Sequence, residues 1–351
     1  MTTTDPRLVP DELLDPPVRH IPVGLSSSSV APAKVAPCFA AAAEHGYDGV
    51  EIMVWIDKES QDASHINRYV AQYDMPVLSL HAPTLLVSRG IMGNDHWEKI
   101  DRTMELADQV GAPVVVAHPP FTWQGDYAKE FVHGVAERNG RRGVRIAVEN
   151  MFPWYMLTSK GERQFQVYRG GWDPVPMPYE HVTLDVSHAG TSRSDVLAMA
   201  RALGPRLAHV HLTDSRGSFK DEHLVPGYGD QPVGQHLRHL RGTRYGGSVV
   251  VEINTRGRKA KKRAKMLARA LEVARRQLGR PDHAPAQPAP GASGRPVTDG
   301  DPVTDGGAVG EAGDTSAPAG AAGPTPAPRQ RTWPPAQPHG PGTPTPPRAD
   351  S

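Results

Sequence analysis

Imidazole and carboxylate side chains stand at the ends of short apolar runs through the middle of this sequence. Six successive runs end in this way. The residues, in chain order, are His81, His118, Glu149, Asp185, His188, His209, His211, Asp214 and Glu252. Such groups bind Zn, Mn, Co or Mg ions and can also transfer protons. Because several carboxylates beside an apolar core need compensating positive charge, the pattern predicts a site for a divalent metal ion.

A further polar cluster follows the seventh run, in residues 221–229. Asp221 and His223 are separated by one residue, as in a chelating pair, and the neighbouring glycines let the backbone pass close to a ligand. A turn with incidental polar residues is the alternative interpretation. Neither cluster contains a thiol, since the one cysteine, Cys38, lies in the apolar stretch 36–43 and is predicted to be a buried structural residue.

These residues are positioned by short apolar runs that alternate with amphipathic stretches, which is typical of alternating strands and helices. The predicted strands are residues 21–25, 49–54, 76–81, 113–118, 144–149, 181–185, 207–212 and 248–253. The predicted helices are residues 33–45, 63–73, 96–110, 127–139, 194–203, 233–240 and 261–278. Strands that are apolar throughout indicate a parallel sheet covered by helices. Eight such units in about 260 residues predict an α/β fold of the (β/α)8 TIM barrel type, whose strand ends converge on one mouth.

A doubly wound open sheet is the alternative architecture. Its dinucleotide-binding fingerprint, G-x-G-x-x-G, would follow the first strand. The sequence there reads Gly24-Leu-Ser-Ser-Ser-Ser29 and lacks the second and third glycines. This difference favours the barrel.

Three segments fall outside the alternation. Residues 152–179 form an insertion with four prolines, in which we expect one helix at residues 159–168. Residues 1–18 are polar and proline-rich. Residues 281–351 hold 17 of the 36 prolines and few bulky apolar residues, so they cannot bury enough apolar surface to fold. The predicted organisation is a flexible segment over 1–18, a barrel over 19–280 and a disordered tail over 281–351.

Charge and hydropathy restrict the partners. The formal net charge is +1, although eleven Lys or Arg residues lie between Arg256 and Arg280. That run is either a solvated face on the last helix or a binding patch for phosphate or nucleic acid. No apolar run approaches the length of about 18 residues that a membrane span needs. With a single cysteine, the sequence predicts a cytoplasmic protein without membrane contact, and it is compatible with a homo-oligomer.

The ordered set of polar residues resembles the xylose-isomerase-like barrels. That superfamily includes sugar isomerases and epimerases and also the endonuclease IV type of abasic-site nuclease. The resemblance covers residues 23–278. Its specific parts are Glu149, the Asp-x-x-His of Asp185 and His188, the His-Leu-x-Asp that begins at His211, the Asp-x-His of Asp221 and His223, and Glu252. Each piece is common by itself, whereas all of them in this order are a specific signal.

The resemblance implies two ligand arrangements with between one and three metal ions. In the endonuclease-type barrels three ions are held by three groups. The matching groups here are His81 and His118 with Glu149 as a bridge; Glu149, Asp185, His211 and Glu252; and His188, Asp221 and His223. In the similar sugar epimerases, only the second group usually binds a metal ion. His209 has no ligand counterpart, and we expect it to face away or to orient His211.

Two activities would use these ligands. In a sugar isomerase or epimerase, a metal ion polarises a carbonyl of a sugar-like substrate while Glu149 and Glu252 remove and return the proton. We expect His188, Trp55 and Trp123 to contact such a substrate. In an abasic-site nuclease, a metal cluster activates water to cleave a phosphodiester.

One position separates the two activities. In abasic-site nucleases of this type, the third residue after the strand-three histidine is an aromatic that enters the DNA, and here it is Thr84. We therefore favour the isomerase or epimerase, with the nuclease and a nucleic-acid partner as the alternative. A binding barrel without catalysis would have lost a ligand, and none is missing.

Overall fold

The predicted strands close into a parallel barrel surrounded by helices. The computed structural model describes residues 20–279 apart from 31, 33, 85–87, 89 and 160. The predicted flexible segment 1–18 and the predicted tail 281–351 lie outside the described residues. No helix in the described part of the chain is long and apolar enough to cross a membrane.

The barrel consists of eight of the ten strands. The strands are β1 (Val23–Ser26), β2 (Gly49–Met53), β3 (Val77–His81), β4 (Val114–Ala117), β5 (Arg145–Glu149), β6 (Trp154–Thr158), β7 (Gly161–Phe165), β8 (Val182–Asp185), β9 (Leu207–Leu212) and β10 (Ser248–Val251). All but β6 and β7 are neighbours in chain order, and β1 pairs with β10 with Val23 opposite Val249. This pairing closes the barrel, so the alternative of an open doubly wound sheet is excluded.

Helices cover the barrel between its strands. They are α1 (Val35–His45), α2 (Ala63–Tyr73), α3 (His96–Val110), α4 (Gly125–Arg138), α5 (Val186–Thr191), α6 (Val196–Leu203), α7 (Val233–Arg241) and α8 (Ala260–Gln277). The bounds of α2 and α3 are those predicted, because Asp62 and Asp95 accept hydrogen bonds from the first free N–H groups of these helices. The short α5 was not predicted, and it begins where Asp185 accepts the N–H of His188.

The insertion after β5 differs from the prediction. Residues 159–168 do not contain the expected helix, because β6 and β7 form an antiparallel hairpin with Trp154 opposite Phe165. Thr158 Oγ1 donates a hydrogen bond to the Gly161 carbonyl across the turn. Gly161 has a φ of 104°, which glycine adopts without strain. The helix prediction was wrong because it overlooked this glycine turn between two β-forming segments.

Cys38 is fully buried in α1, as predicted. Its Sγ lies 3.5 Å from the carbonyl oxygen of Leu25. Burial raises the pKa of the thiol, which keeps it protonated and unreactive. Cys38 is therefore part of the packing between α1 and β1.

Leu78 fills the barrel interior near the start of the strands. The register of β2 and β3 shifts so that Val50 pairs with Val77 and Glu51 with Ser79, which leaves Leu78 as the extra residue of a bulge. A Cβ added at Gly49 would lie 2.7 Å from Leu78 Cγ. The absence of a side chain at this glycine therefore leaves the space that Leu78 occupies.

We expect Gly49→Ala to lower the free energy of unfolding by about 1–3 kcal/mol, the usual effect of extra volume in a packed core. The added Cβ would also lie 2.7 Å from the carbonyl oxygen of Pro76, which is backbone and cannot move aside easily. Gly242→Ala is the matched control, because Gly242 ends α7 with a φ of −78° and its added Cβ meets no atom closer than 3.5 Å. Urea unfolding measures both variants, and equal stability of the two would contradict this account of Leu78.

Candidate active site

The barrel brings six predicted donors together at the carboxyl ends of its strands. They are His81 in β3, His118 after β4, Glu149 in β5, Asp185 in β8, His211 in β9 and Glu252 after β10. Five are buried, and the side chain of His118 is 11% exposed. The strand geometry therefore concentrates imidazoles and carboxylates in one small volume.

Four of these residues form a central group around one nitrogen of His211. One donor atom each from Glu149, Asp185, His211 and Glu252 lies within 4.8 Å of the others. His211 Nδ1 is 2.8 Å from Glu149 Oε1, 3.0 Å from Glu252 Oε2 and 3.7 Å from Asp185 Oδ2. Ser28 Oγ donates a hydrogen bond to the other oxygen of Glu252. Three carboxylates thus face a single imidazole nitrogen.

His81 and His118 face the second oxygen of Glu149. Glu149 Oε2 lies 2.9 Å from His118 Nε2 and 3.3 Å from His81 Nε2. Its Oε1 contacts His211. Glu149 therefore presents one oxygen to each group, which is the arrangement that a bridging carboxylate needs.

Asp221 and His223, on the loop that follows β9, meet His188 of α5. Asp221 Oδ2 lies 2.8 Å from His223 Nε2 and 3.4 Å from His188 Nε2. The Nδ1 atoms of the two rings contact backbone carbonyls, that of Asn150 for His188 and that of Glu252 for His223. These contacts aim both Nε2 atoms at Asp221. The chelating pair expected from the sequence is thus adjacent to a third ligand candidate.

Buried acids and bases compensate one another in the central group. Burial alone would raise the pKa of Glu149, but His211 and His118 hold that pKa well below its ordinary value. Burial alone would lower the pKa of His211, but Glu51, Glu252 and Glu149 hold it well above its ordinary value. Without a metal ion, protonated His211 therefore supplies positive charge to the carboxylates around it.

The donor chemistry fits a divalent cation. Asp185 Oδ2 is buried and has no hydrogen-bond partner within the part of the chain that the structure describes, and burial raises the pKa of this carboxyl. A buried carboxylate in this state lacks sufficient positive charge. A cation held by Glu149, Asp185, His211 and Glu252 would supply that charge. Nitrogen and oxygen donors without a thiolate suit Zn, Mn, Co or Mg.

Sequence reasoning missed Glu51, a carboxylate in the middle of β2. Its Oε2 lies 3.1 Å from His211 Nε2 and 3.0 Å from His209 Nε2. His209 therefore points into the barrel and is connected to His211 through Glu51. The available signal was a charged residue inside an otherwise apolar run, which needs a buried partner.

A cavity of about 400 Å³ opens beside these residues. Its polar wall includes His81, His118, Glu149, His188, Asp221, His223 and Glu252, and its apolar wall includes Met53, Trp55, Pro83, Met151, Phe152 and Tyr168. Trp55 and His188 thus lie where a substrate contact was expected. Trp123 does not line this cavity: it is 52% exposed and stacks on Phe121 with ring centroids 4.7 Å apart.

The basic run at the end of the barrel is divided between two locations. The helix α8 packs against α1, α7, β1 and β10 in the outer ring. Arg256, the first residue of the run, precedes α8 and lines the cavity. The basic residues of α8 and Arg256 therefore belong to different parts of the barrel.

Comparison with known proteins agrees with this geometry. The family model described as xylose isomerase-like TIM barrel matches residues 39–277. An uncharacterized protein of Mycobacterium tuberculosis is 42% identical over 274 residues, which cover 74% of this chain and 98% of that protein. Fructoselysine 3-epimerase of Escherichia coli O157:H7 is 25% identical over 239 residues, 62% of this chain and 84% of that protein. The crystal structure of a D-tagatose 3-epimerase-like protein aligns with a TM-score of 0.53 and 22% identity, covering 74% of this chain and all of that chain.

We expect Asp185→Asn to weaken Mn²⁺ binding by about 100-fold or more, since losing an outer-shell partner alone costs about 10- to 100-fold. Asparagine keeps an oxygen that can accept the N–H of His188, which Asp185 Oδ1 accepts at 2.8 Å, so the metal-free fold should be preserved. The negative charge that a cation requires is lost. Calorimetric titration of the metal-free proteins with Mn²⁺ measures the affinity, and thermal unfolding checks the fold.

Glu137→Gln is the control for this experiment. Glu137 is an exposed carboxylate on α4 that contacts His133 and none of the donors. Its loss should leave Mn²⁺ affinity unchanged. Parental affinity in Asp185→Asn would remove Asp185 from the ligand set.

Proposed function

Because the chain belongs to the xylose isomerase-like TIM barrel family, we propose that it is a divalent-metal-dependent isomerase or epimerase of a sugar-like substrate. One observation carries this proposal. Glu149 and Glu252 come from different strands, line the same small cavity and both contact His211. The names of the fructoselysine 3-epimerase relative and of the D-tagatose 3-epimerase-like structure support the same class.

The two glutamates are suited to move a proton between the two faces of a bound sugar. Glu149 ends β5 and Glu252 follows β10, with β8 and β9 between these strands. The histidines around Glu149 hold its pKa below the ordinary value, so its carboxylate is ionised, which is the state that accepting a proton requires. Glu252 receives a hydrogen bond from Ser28, which fixes the direction of its carboxylate. One glutamate would remove the proton and the other would deliver it.

A divalent cation in the central group would polarise the substrate carbonyl and make the neighbouring C–H more acidic. Glu149, Asp185, His211 and Glu252 would hold it. His188 lies at the polar edge of the cavity, where its Nε2 can contact a substrate hydroxyl when it is not committed to Asp221.

The apolar wall of the cavity is suited to the carbon face of a sugar ring. Trp55, Phe152 and Tyr168 line the cavity together with the donors. Aromatic faces pack against the C–H face of a sugar ring, whereas the hydroxyl groups face the polar wall. A volume of about 400 Å³ suits a monosaccharide-sized ligand.

We expect Glu149→Gln and Glu252→Gln each to reduce turnover on the order of 100- to 10,000-fold, because both lose a group that transfers a proton. The assay follows exchange of carbon-bound hydrogen for deuterium by NMR, with Mn²⁺-loaded protein in D₂O and D-fructose, D-psicose or D-tagatose. Glu137→Gln should behave as the parent. Exchange above about a tenth of the parental rate in a fully metal-loaded variant would contradict its assignment as a proton carrier, given that range.

An abasic-site nuclease is the second candidate, and the complete set of nine donors favours it. His81 and His118 contact Glu149, and His188 and His223 contact Asp221, so all three predicted ligand groups are assembled. The position that would enter DNA argues against this activity. Thr84 is buried, and the backbone N–H of His118 donates to its Oγ1.

We therefore expect the metal-loaded protein not to incise duplex DNA at an abasic site at nanomolar enzyme concentration. The buried Thr84 cannot replace the aromatic that enters the helix. Incision is measured on a labelled duplex with one abasic site, in parallel with metal analysis of the protein. Rapid metal-dependent incision together with three bound ions would establish the nuclease instead of the isomerase.

A further inference from the structure

We infer that Glu51 is a positioning residue that fixes the ring of His211 for metal binding, an inference that rests on the metal site of the proposed function. Glu51 lies in the middle of β2 and is fully buried inside the barrel. Its Oε2 lies 3.1 Å from His211 Nε2, on the side of the ring opposite the three carboxylates. It is absent from the residues that line the cavity, so it would act through His211 and not on a substrate.

Three polar groups converge on this one oxygen of Glu51. Ser79 Oγ donates to it at 2.8 Å, and the Nε2 atoms of His209 and His211 lie 3.0 and 3.1 Å away. A carboxylate oxygen only accepts hydrogen bonds, so His211 must carry a hydrogen on Nε2. In a neutral ring the lone pair is then on Nδ1, the atom that faces Glu149 and Glu252.

Glu51 is itself held in place from two sides. Ser79 belongs to β3, the neighbouring strand, and His209 belongs to β9. His209 Nδ1 lies 3.0 Å from Ser248 Oγ in β10, which orients the His209 ring. These contacts hold Oε2 of Glu51 independently of His211, which is what a positioning residue requires.

Among the residues that the structure describes, Glu51 is the one hydrogen-bond partner of His211 Nε2. Without Glu51, the ring could rotate about its Cα–Cβ and Cβ–Cγ bonds or adopt the other tautomer. Either change would remove the Nδ1 lone pair from the central group and lower the affinity for a cation.

Glu51→Gln tests the inference, with the binding of Mn²⁺ as the readout. The amide has nearly the shape of the carboxylate, but it loses the negative charge that attracts both histidine N–H groups. We expect a loss of Mn²⁺ affinity of about 10- to 100-fold, the range for outer-shell partners of metal ligands. The metal-free variant should keep its circular dichroism spectrum and cooperative unfolding.

Ser79→Ala is the matched control. It removes a hydroxyl that donates to the same oxygen of Glu51 but does not touch His211. We expect a smaller loss of Mn²⁺ affinity than in Glu51→Gln. Parental affinity in a folded Glu51→Gln protein, or an equal loss in both variants, would show that Glu51 serves packing and would overturn the inference.

A measurement on the parent protein covers the case in which Glu51→Gln does not fold. With Zn²⁺ bound, ¹⁵N NMR of the histidine rings should show His211 with its hydrogen on Nε2 and its Nδ1 bound to the metal. The signal is assigned by its loss in His211→Asn. The opposite tautomer would overturn the inference. Neither readout depends on turnover, so failure of the proposed isomerase activity would leave this test unaffected.

Discussion

Each buried carboxylate at the barrel mouth needs positive charge within a few ångströms. Among these carboxylates, Glu149 meets this need most strictly. Its side chain is 1% exposed, so water contributes little to its solvation. His118 and His81 contact one oxygen and His211 contacts the other. Ionised Glu149 is stable only because these rings surround it, and a cation could replace their protons. The barrel satisfies this requirement by placing β3, the end of β4 and β9 so that their histidines contact Glu149.

The same constraint explains why one site can be compared with two kinds of enzyme. A carboxylate with one oxygen toward each of two donor groups can bind a single ion in the central group or bridge two ions. The choice then depends on whether His81 and His118 remain as proton-bearing partners of Glu149 or become ligands. The same choice applies to His188 and His223, which contact Asp221 at the edge of the cavity.

The sequence predicts the barrel because its strands are apolar nearly throughout and its helices have standard ends, such as the cap at Asp62 and the glycine stop at Gly46. It also predicts the donors, since the ends of parallel strands meet on one side of a barrel. The prediction failed at residues 159–168, where local turn chemistry outweighed the helix assignment. It failed for Trp123 because the sequence does not show the direction in which a loop side chain points.

Glu51 could not be predicted for a different physical reason. A carboxylate inside an apolar run indicates that a partner exists, but it does not identify a partner that is distant in sequence. Here the partners are His209 and His211, which lie more than 150 residues away along the chain. Only closure of the barrel brings Glu51 of β2 into one interior layer with His209 and His211 of β9.

That interior layer of Glu51, Ser79 and His209 separates the apolar floor around Leu78 from the donors at the mouth. Replacing buried charged or polar groups with well-packed apolar residues is often neutral or stabilising. Stability alone therefore does not account for an ionisable group at 0% exposure in the barrel interior. The proposed role of Glu51 toward His211 accounts for this group. A metal ligand whose second nitrogen is bound to a fixed carboxylate keeps its tautomer and ring orientation. The barrel then tolerates a polar layer because that layer fixes the imidazole on which the central group depends.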